Sequence, residues 1–369
     1  MSRAIDHQHL CSAARLALRG HGGAEPNPLV GCVIVAPRNE VVGWGYHRQY
    51  GDPPAEAAAL QRAGSRANGA TLYCTLEPCN HTGKTPPCTE AIIAAKIARV
   101  VIARRDPNPV AAGGVNQVRA AGIVVDVIDD CQHAISVSDP FVHRVMTGLP
   151  WVTVKWAQTR DGKIANPTGE SQWISNEVSR RMVHRERGRV DVILTAIGTV
   201  LKDDPRLTAR SVRVRRVAQR VIIDPALKIP LESKLVQTAR QAPVIVACNQ
   251  QLLGGDEARQ LRERGVELMG FPMNGEELPL QILLRTLVSR LEVTQVLVEA
   301  GSGLMTRIFQ QRLANEAWTF IAPTPSTRDP CRDRLPAFNI EDVVRDHSLT
   351  LVDQRTRGGD RVVRYRAAQ

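Results

Sequence analysis

Residues 1–146 alternate two kinds of hydrophobic pattern, one with helical spacing and one of short β-branched runs. The helical spacing predicts helices over residues 5–19, 55–63, 89–97 and 117–121. The short apolar runs predict strands over residues 29–36, 40–45, 71–76, 99–103 and 123–128. Because strands that alternate with helices bury both faces of one sheet, this half is predicted to be a three-layer α/β domain.

A second α/β pattern follows an interruption of the first. Asp139-Pro140 and Gly148-Leu149-Pro150 break the periodicity, so we place the boundary of two domains there, with bounds 1–146 and 150–369. Apolar runs then predict strands over residues 151–156, 191–194, 219–223, 244–247, 295–298 and 317–321. The chain ends in a predicted hairpin, 349–353 with 361–365, around a turn that contains two glycines.

The composition is that of a globular protein, with 43% hydrophobic and 23% charged residues. No apolar stretch approaches the roughly 18 residues that a membrane span needs. The first 15 residues lack the apolar run of a signal peptide. We therefore expect a cytoplasmic protein that does not associate with a membrane.

The net charge of +11 fits two classes of partner, nucleic acids and small molecules that carry phosphate. Aromatic residues make up only 4% of the chain, which disfavours a stacking surface for single strands. We therefore expect a phosphorylated small molecule and no nucleic acid. The arginines at 213, 215, 216 and 220 are interpreted as an exposed loop outside the site.

Three residues of the first half have the chemistry of a hydrolytic zinc site. Cys79 follows a predicted strand, Cys88 lies at the start of a predicted helix, and Glu56 lies within the first turn of another. Zinc bound by thiolates and an imidazole keeps an open position where it can activate a water molecule. A carboxylate that is not a ligand then moves the protons. We predict Cys79 and Cys88 as metal ligands and Glu56 as the catalytic carboxylate.

Six motifs surround these residues: PNPLVGCVIV (26–35), GYH (45–47), AE (55–56), TLEPC (75–79), GKTPPC (83–88) and DPNP (106–109). Together they resemble the bifunctional deaminase/reductase family of riboflavin biosynthesis. The resemblance implies a cytidine-deaminase-like fold for the first domain. It also implies a zinc-dependent deaminase that acts on a diaminopyrimidine phosphate.

Pro54 departs from that family pattern, which has a zinc-binding histidine at this position. Proline has no donor atom for a metal, so two thiolates alone should hold zinc and its water less firmly. His47 and His81 stand where the family already carries histidine, so neither is an evident replacement. Cys74 lies inside a predicted strand, and Asp52 would need a shift of the backbone. We predict an incomplete zinc site.

Seven motifs of the second half resemble the reductase half of the same family: VTVK (152–155), RDGKIA (160–165), GESQWI (169–174), GTVL (198–201), DDP (203–205), LTAR (207–210) and VEAGSG (298–303). The resemblance implies a domain similar to dihydrofolate reductase that uses NADPH. It places four residues at cofactor positions: Ala157, Trp173, Thr199 and Asp203. It places five residues at substrate positions: Ser171, Arg187, Leu207, Arg210 and Glu299.

The residue types suit this chemistry. Gly301 and Gly303 follow a predicted strand, where glycine amides can approach a pyrophosphate closely, so we add both to the cofactor positions. The guanidinium groups of Arg187 and Arg210 match the oxygens of a phosphate. We therefore expect the substrate to be a phosphorylated pyrimidine.

Lys155 and Glu299 are the candidate catalytic residues of the second half, and the sequence leaves open which of them polarises or protonates the sugar carbonyl. By the same resemblance, the predicted function is NADPH-dependent reduction of the ribosyl group of 5-amino-6-(5-phosphoribosylamino)uracil to ribityl, and Pro54 predicts a deaminase half that is impaired or lost. A bifunctional enzyme with an unusual zinc ligand set is the main alternative. A nucleic-acid deaminase and a packing module with structural zinc are others. We expect a homo-oligomer.

Overall fold

A computed structural model describes residues 2–82, 86–164, 174–273, 277–323 and 338–367 of the chain. The chain forms two compact units, Met1–Leu149 and Pro150–Gln369. Each unit is built on one β-sheet. In the part of the chain that the structure describes, no helix has both the length and the apolar character needed to cross a bilayer.

The first unit has a five-stranded sheet and six helices among its described residues. Its strands are β1 (Gly31–Ala36), β2 (Glu40–Tyr46), β3 (Thr71–Cys74), β4 (Arg99–Ile102) and β5 (Val124–Val127). Its helices are α1 (Arg3–Ala17), α2 (Ala55–Ala63), α3 (Cys88–Ala94), α4 (Gly114–Ala120), α5 (Gln132–Ser136) and α6 (Asp139–Thr147). The strand order is β2-β1-β3-β4-β5; β1 is antiparallel to both neighbours, and the remaining pairs are parallel.

Both faces of this sheet are buried. Successive residues of a strand point to opposite faces, and along β1 Cys32 and Ile34 join one hydrophobic cluster while Val33 and Val35 join another. The first cluster contains residues of α2, α3 and α4, and the second contains residues of α1 and α5. The predicted three-layer arrangement is therefore confirmed.

Glycines in β2 set the position of α2. A Cβ atom at Gly45 would lie 2.2 Å from the carbonyl oxygen of Ala55, and one at Gly43 would lie 2.4 Å from that of Ala59. Any larger residue would force the helix away from the strand, because such distances are far below van der Waals contact. The close approach places the first turn of α2, which includes Glu56, against the sheet.

The second unit has a nine-stranded sheet. Its strands are β6 (Trp151–Gln158), β7 (Val192–Ala196), β8 (Gln219–Ile223), β9 (Val244–Asn249), β10 (Glu267–Phe271), β11 (Gln295–Val298), β12 (Glu316–Ile321), β13 (Thr350–Arg357) and β14 (Asp360–Arg366). Its helices are α7 (Glu177–Arg187), α8 (Ile197–Asp203), α9 (Lys234–Gln237), α10 (Asp256–Glu263), α11 (Leu280–Leu291), α12 (Ser302–Gln310) and α13 (Ile340–His347). The strand order is β10-β9-β8-β7-β11-β6-β12-β14-β13.

Seven neighbouring strands of this sheet are parallel, in the order β10-β9-β8-β7-β11-β6-β12. The hairpin of β13 and β14 completes the sheet on the side of β12 with antiparallel pairing. Because the carboxyl ends of parallel strands meet at one edge, residues that follow β7 and β11 lie close together there. This edge carries the candidate reductase site.

The structure differs from the sequence predictions at two places. Strand β10 was not predicted, because it has only five residues and includes Gly270, which packs closely against Gln250 and Leu253. Arg220, predicted to lie in an exposed loop, is completely buried in β8. The predicted boundary region, 139–150, contains helix α6, and the chain divides at the end of this region, between Leu149 and Pro150.

Candidate functional sites of the two units

The first unit contains a cavity of about 320 Å³ at the end of its sheet. Glu56 reaches it from α2, Cys88 from the start of α3, and Cys79 from the loop after β3. The structure thus brings together the three residues that the sequence predicts for a deaminase. The cavity is also lined by Asn27, His47, Tyr50, Asp52, Pro54 and His81.

The two cysteines form a contact pair. The Sγ atoms of Cys79 and Cys88 are 3.1 Å apart, and the backbone N–H of Cys88 donates to the Sγ of Cys79 over 3.4 Å. The hydrogen bond between the two sulfur atoms is the largest effect on both thiols: it lowers the pKa of Cys79 to about 6 and raises the pKa of Cys88. Glu56 is 3% exposed, and its burial, together with the charge of Cys79, raises its pKa to about 7.

Pro54 stands on the cavity wall and directly precedes helix α2, two residues before Glu56. It offers no donor atom. The ring nitrogens of His47 are engaged, since Nε2 lies 3.1 Å from the side-chain nitrogen of Asn27 and Nδ1 lies 3.4 Å from the carbonyl oxygen of Pro53. The Nδ1 atom of His81 is buried without a hydrogen-bond partner.

Cys74 and Asp52, the other two candidates for the missing zinc ligand, are enclosed or paired elsewhere. Cys74 is completely buried in β3, opposite Cys32 of β1, and Asp52 forms an ion pair of 3.4 Å with Arg48. Across the described residues, no three side chains of the metal-binding types are grouped so that they could hold a metal ion. The site therefore does not fit a zinc ion held by three protein ligands.

The second unit contains a buried cluster of three charged residues. Lys155 lies on β6, Glu299 follows β11, and Arg187 ends α7. Glu299 accepts two hydrogen bonds from Arg187, one from Nε at 2.6 Å and one from Nη2 at 2.9 Å. The Nζ atom of Lys155 is 3.6 Å from Oε2 of the same carboxylate. The three side chains are 17%, 9% and 14% exposed in the order Lys155, Glu299 and Arg187.

The cluster shifts the pKa values of its members. Burial alone would raise the pKa of Glu299, but the charges of Arg187 and Lys155 outweigh it and lower the pKa to about 2. Burial lowers the pKa of Lys155, and the nearby charge of Arg187 adds to this effect. Glu299 is thus held ionised, whereas the ammonium group of Lys155 loses its proton more readily than an exposed lysine does.

A loop beside the cluster carries further cationic groups. The carbonyl oxygen of Thr208 accepts hydrogen bonds from Nδ1 of His184 at 3.2 Å and from Nη1 of Arg187 at 3.4 Å. Burial, with the positive charges of Arg187 and Arg210, lowers the pKa of His184 to about 4, so this histidine is neutral at neutral pH. Burial has the largest effect on the pKa of Arg210 and lowers it, and the positive charges of Arg187 and then Arg206 lower it further.

His184 and Arg206 were missed in the sequence. His184 is three residues before Arg187 on α7, a spacing that puts both side chains on one face of the helix, and this was an available signal. Arg206 gave none, because one arginine in an arginine-rich chain is most often a solvated charge. Arg220, which is buried, holds the loop that contains Arg206: its Nη1 donates to the carbonyl oxygen of Arg206 over 3.0 Å.

Leu207 shapes the loop beside the charged cluster through its backbone conformation. Its side chain is 4% exposed and packs in the core of the second unit, and its backbone has a φ of 49°. A residue in this left-handed conformation turns the chain sharply. The loop therefore offers peptide groups and the side chains of Arg206 and Arg210, rather than the leucine side chain, to a ligand.

The glycine-rich segment after β11 is open. A Cβ atom at Gly301 or Gly303 would meet no atom within 4 Å, and the same holds for Gly198 at the start of α8. The backbone N–H of Gly301 donates to Oγ1 of Thr199 over 3.2 Å, which links α8 to this segment. Asp203 ends α8. These groups fit a dinucleotide, because unobstructed backbone lets a pyrophosphate approach the amides.

The remaining predicted positions divide into two groups. Ala157 lies in β6, two residues beyond Lys155, and pairs with Phe320 of β12. Ser171 and Trp173 lie outside the described residues.

Comparisons with known proteins agree with this division of the chain. Two family models match, one for the zinc-binding region of cytidine and deoxycytidylate deaminases over residues 4–104 and one for the RibD C-terminal domain over residues 150–325. Riboflavin biosynthesis protein RibD of Aquifex aeolicus is 41% identical over 327 residues, which are 88% of each chain. RibD of Escherichia coli is 37% identical over 330 residues, 86% of this chain and 88% of that one.

Solved structures agree as well. Acinetobacter baumannii RibD has 33% identity and a TM-score of 0.83, and the match covers 99% of each chain. A diaminohydroxyphosphoribosylaminopyrimidine deaminase/5-amino-6-(5-phosphoribosylamino)uracil reductase of Thermotoga maritima has 31% identity, the same TM-score and the same coverage.

These matches define a class of two-domain proteins in which a cytidine-deaminase-like domain precedes a dihydrofolate-reductase-like domain, so the predicted fold class is confirmed. The chain belongs to the RibD family of riboflavin biosynthesis proteins. The family resemblance stated from the sequence motifs is thereby confirmed.

Proposed function

We propose that this chain reduces the ribosyl group of 5-amino-6-(5-phosphoribosylamino)uracil to ribityl and that its first domain does not deaminate the preceding pyrimidine. The observation that carries the reductase is the buried cluster of Lys155, Arg187 and Glu299 at the carboxyl edge of a parallel sheet. Ionisable groups buried together in this way are typical of catalytic sites.

Lys155 is the proton donor in this proposal. Reduction of the ring-opened sugar requires a proton on the former carbonyl oxygen, and a carboxyl group with a pKa of about 2 holds none at neutral pH. Glu299 is therefore excluded as the acid. The lowered pKa of Lys155 makes its ammonium group the better donor, and Glu299 orients that group from 3.6 Å.

NADPH supplies the hydride when it is bound. Gly301 and Gly303 leave backbone exposed to its pyrophosphate, and Thr199 holds the Gly301 amide in place. Ala157, Trp173, Asp203 and Thr199 remain the cofactor positions that the family pattern suggests.

The phosphate of the substrate is assigned to Arg210, with Arg206 beside it. Arg187 directs two of its N–H groups at Glu299, so most of its fork is already occupied. Arg210 is exposed, and among the described residues it donates one weak bond, of 3.4 Å, to Oγ1 of Thr208. A doubly charged phosphate would relieve the repulsion between the two loop arginines. Ser171 and the backbone at Leu207 complete the proposed substrate positions.

Alanine substitution tests the reductase. Lys155→Ala and Glu299→Ala should each abolish most NADPH oxidation in the presence of the deaminated substrate. Lys228→Ala, which removes an exposed lysine of the same unit, should retain the wild-type rate. Wild-type rates in both cluster variants would refute the site assignment.

The loss of deamination rests on Pro54. Two thiols and a buried glutamate remain, but a zinc ion lacks its third protein ligand and an activated water lacks a firm anchor. It follows that the deaminated pyrimidine reaches this chain from a separate hydrolytic deamination.

A bifunctional enzyme with an unusual zinc ligand set is the second candidate. The observation in its favour is that Glu56, Cys79 and Cys88 still line one cavity, as catalysis by zinc would require. Elemental analysis of the full-length protein, combined with ammonia release from the diaminopyrimidine phosphate, separates the two proposals. Stoichiometric zinc with turnover would favour the bifunctional enzyme.

A further inference from the structure

The sulfur atoms of Cys79 and Cys88 lie in contact without a complete set of metal ligands around them. They are 3.1 Å apart, and a disulfide requires about 2.05 Å, so a movement of about 1 Å would join them. Cys88 is 3% exposed and is held at the first residue of α3, whereas Cys79 is more accessible. Both cysteines line the cavity, and Cys79 is the more accessible of the two.

Three features of the cavity favour a thiol pair over a metal site. Pro54 fills the wall where a third ligand would stand, and it has no donor atom. His47 is already bonded to the side chain of Asn27 and to a backbone carbonyl. Among the described residues, no third side chain completes a metal-binding group with the two thiols. Zinc bonded to both thiolates would protect the pair from oxidation, but the described residues do not supply the third ligand that would hold it firmly.

We propose that Cys79 and Cys88 form a reversible disulfide in the place of the zinc site, with a peroxide as the oxidant. The sulfur of Cys79 attacks one oxygen of hydrogen peroxide, the O–O bond breaks, and one water leaves as a sulfenic acid forms. The sulfur of Cys88 then attacks the sulfur of Cys79. The S–O bond breaks, and the hydroxyl group leaves with the proton of the Cys88 thiol as a second water.

The reaction is balanced by the two thiols and one molecule of hydrogen peroxide. The thiols lose two electrons and two protons, and one peroxide becomes two waters. A thiol reductant reverses the reaction by thiol–disulfide exchange. A cavity of about 320 Å³ admits hydrogen peroxide easily.

Two other cysteine pairs provide internal comparisons. Cys32 and Cys74 face each other across β1 and β3, and both are 0% exposed, so peroxide does not reach them in the folded chain. Cys11 and Cys131 lie outside the cavity, with their sulfur atoms 3.8 Å apart. The Cys11→Ser variant therefore removes a thiol pair that the proposal does not involve.

Peptide mapping of the full-length protein tests the proposal. The reduced protein is treated with one equivalent of hydrogen peroxide, alkylated and digested with trypsin, which cuts between the two cysteines at Lys84. We expect a cross-linked pair of peptides that contain Cys79 and Cys88, with loss of alkylation at both thiols. Dithiothreitol added before alkylation should abolish the cross-link and restore alkylation.

Variants identify the bond. Cys79→Ser should abolish the cross-link, which also excludes Cys74 of the same peptide as its source, and Cys11→Ser should leave the cross-link unchanged. Three results would overturn the proposal: both thiols remain open to alkylation after peroxide, single oxidised cysteines accumulate without a cross-link, or the purified protein contains one zinc ion that protects the pair. The proposal rests on the missing zinc ligand and not on the reductase, so thiol mapping and NADPH oxidation can fail independently.

Discussion

Arg187 and Glu299, which are 112 residues apart in the sequence, meet in a two-point ion pair with contacts of 2.6 and 2.9 Å. The end of a helix and the end of a strand supply the two partners. The pair fixes the carboxylate in its ionised form and directs its second oxygen toward Lys155. The catalytic role proposed for Lys155 therefore depends on Arg187, which acts on the lysine through Glu299.

Arg187→Lys tests the two-point pairing. Lysine retains the positive charge but cannot donate two parallel hydrogen bonds, so Glu299 should turn and Lys155 should lose its orientation. We expect kcat/KM for NADPH-dependent reduction to fall about 10- to 100-fold, as the loss of one charged hydrogen bond predicts. Arg185→Lys, on the same helix but exposed, is the control and should retain the rate. Equal rates in the two variants would contradict the role given to Arg187.

Thr199→Val tests the cofactor segment. Valine keeps the shape of threonine but leaves the Gly301 amide without its partner at 3.2 Å. The KM for NADPH should rise about five-fold, which corresponds to one hydrogen bond of about 1 kcal/mol, with little change in kcat. Thr286→Val removes a hydroxyl bonded to the Ile282 carbonyl on α11 and serves as the control. An unchanged KM in Thr199→Val would remove this residue from the cofactor site.

The stability of the protein should depend on Glu299 at acidic pH. The pKa of this group is lowered from 4.5 to about 2, so its ionised form stabilises the folded state. This contribution is fully present above pH 4.5 and is lost as the pH falls through the folded-state pKa of about 2. Urea unfolding at a series of pH values should show a shallower acid decline for Glu299→Gln than for the wild type.

Glu267→Gln is the matched control for that titration. Glu267 pairs with Arg290 at 3.2 Å, but both side chains are about half exposed, so solvent screens the pair. The acid decline of this variant should equal that of the wild type. An equal decline in all three proteins would mean that Glu299 is not stabilised by its neighbours.

Pro54→His tests the incomplete metal site. The new imidazole would stand beside the cavity that holds Cys79 and Cys88, and three ligands plus water complete a tetrahedral zinc site. We expect the zinc content of the purified protein to rise from far below one to nearly one ion per chain. Pro53→His places the same side chain one residue away and should not bind zinc. Full zinc occupancy of the wild type would contradict this prediction, because it would show that the site binds zinc with proline at position 54.

Local signals predicted the parts of the molecule that depend on neighbours in sequence. The bounds of α2, β8 and β11 were predicted to the residue, because alanine-rich and β-branched runs determine them. The convergence of Glu56, Cys79 and Cys88 also followed, since Glu56 and Cys88 lie in the first turns of two helices and Cys79 lies in the loop after a strand. The family motifs were needed to relate these residues to a particular reaction.

Contacts between distant segments could not be predicted from local patterns. Arg220 is buried because the carbonyl groups of Arg206, Thr238 and Ala242 all accept its N–H groups, and no pattern within a few residues encodes that cage. The assignment of the proton donor also required the structure. Only the contacts around Glu299 indicate that its carboxyl group is held ionised, and this is the basis for proposing Lys155 as the acid.

NADPH oxidation by one preparation of the full-length protein, measured with two substrates, distinguishes a reductase from a bifunctional enzyme. The deaminated pyrimidine phosphate is supplied in one assay, and its diaminopyrimidine precursor is supplied in the other. We expect NADPH consumption with the first substrate and none with the second, because the precursor must be deaminated before it can be reduced. Consumption with both substrates, accompanied by ammonia release from the precursor, would contradict this expectation.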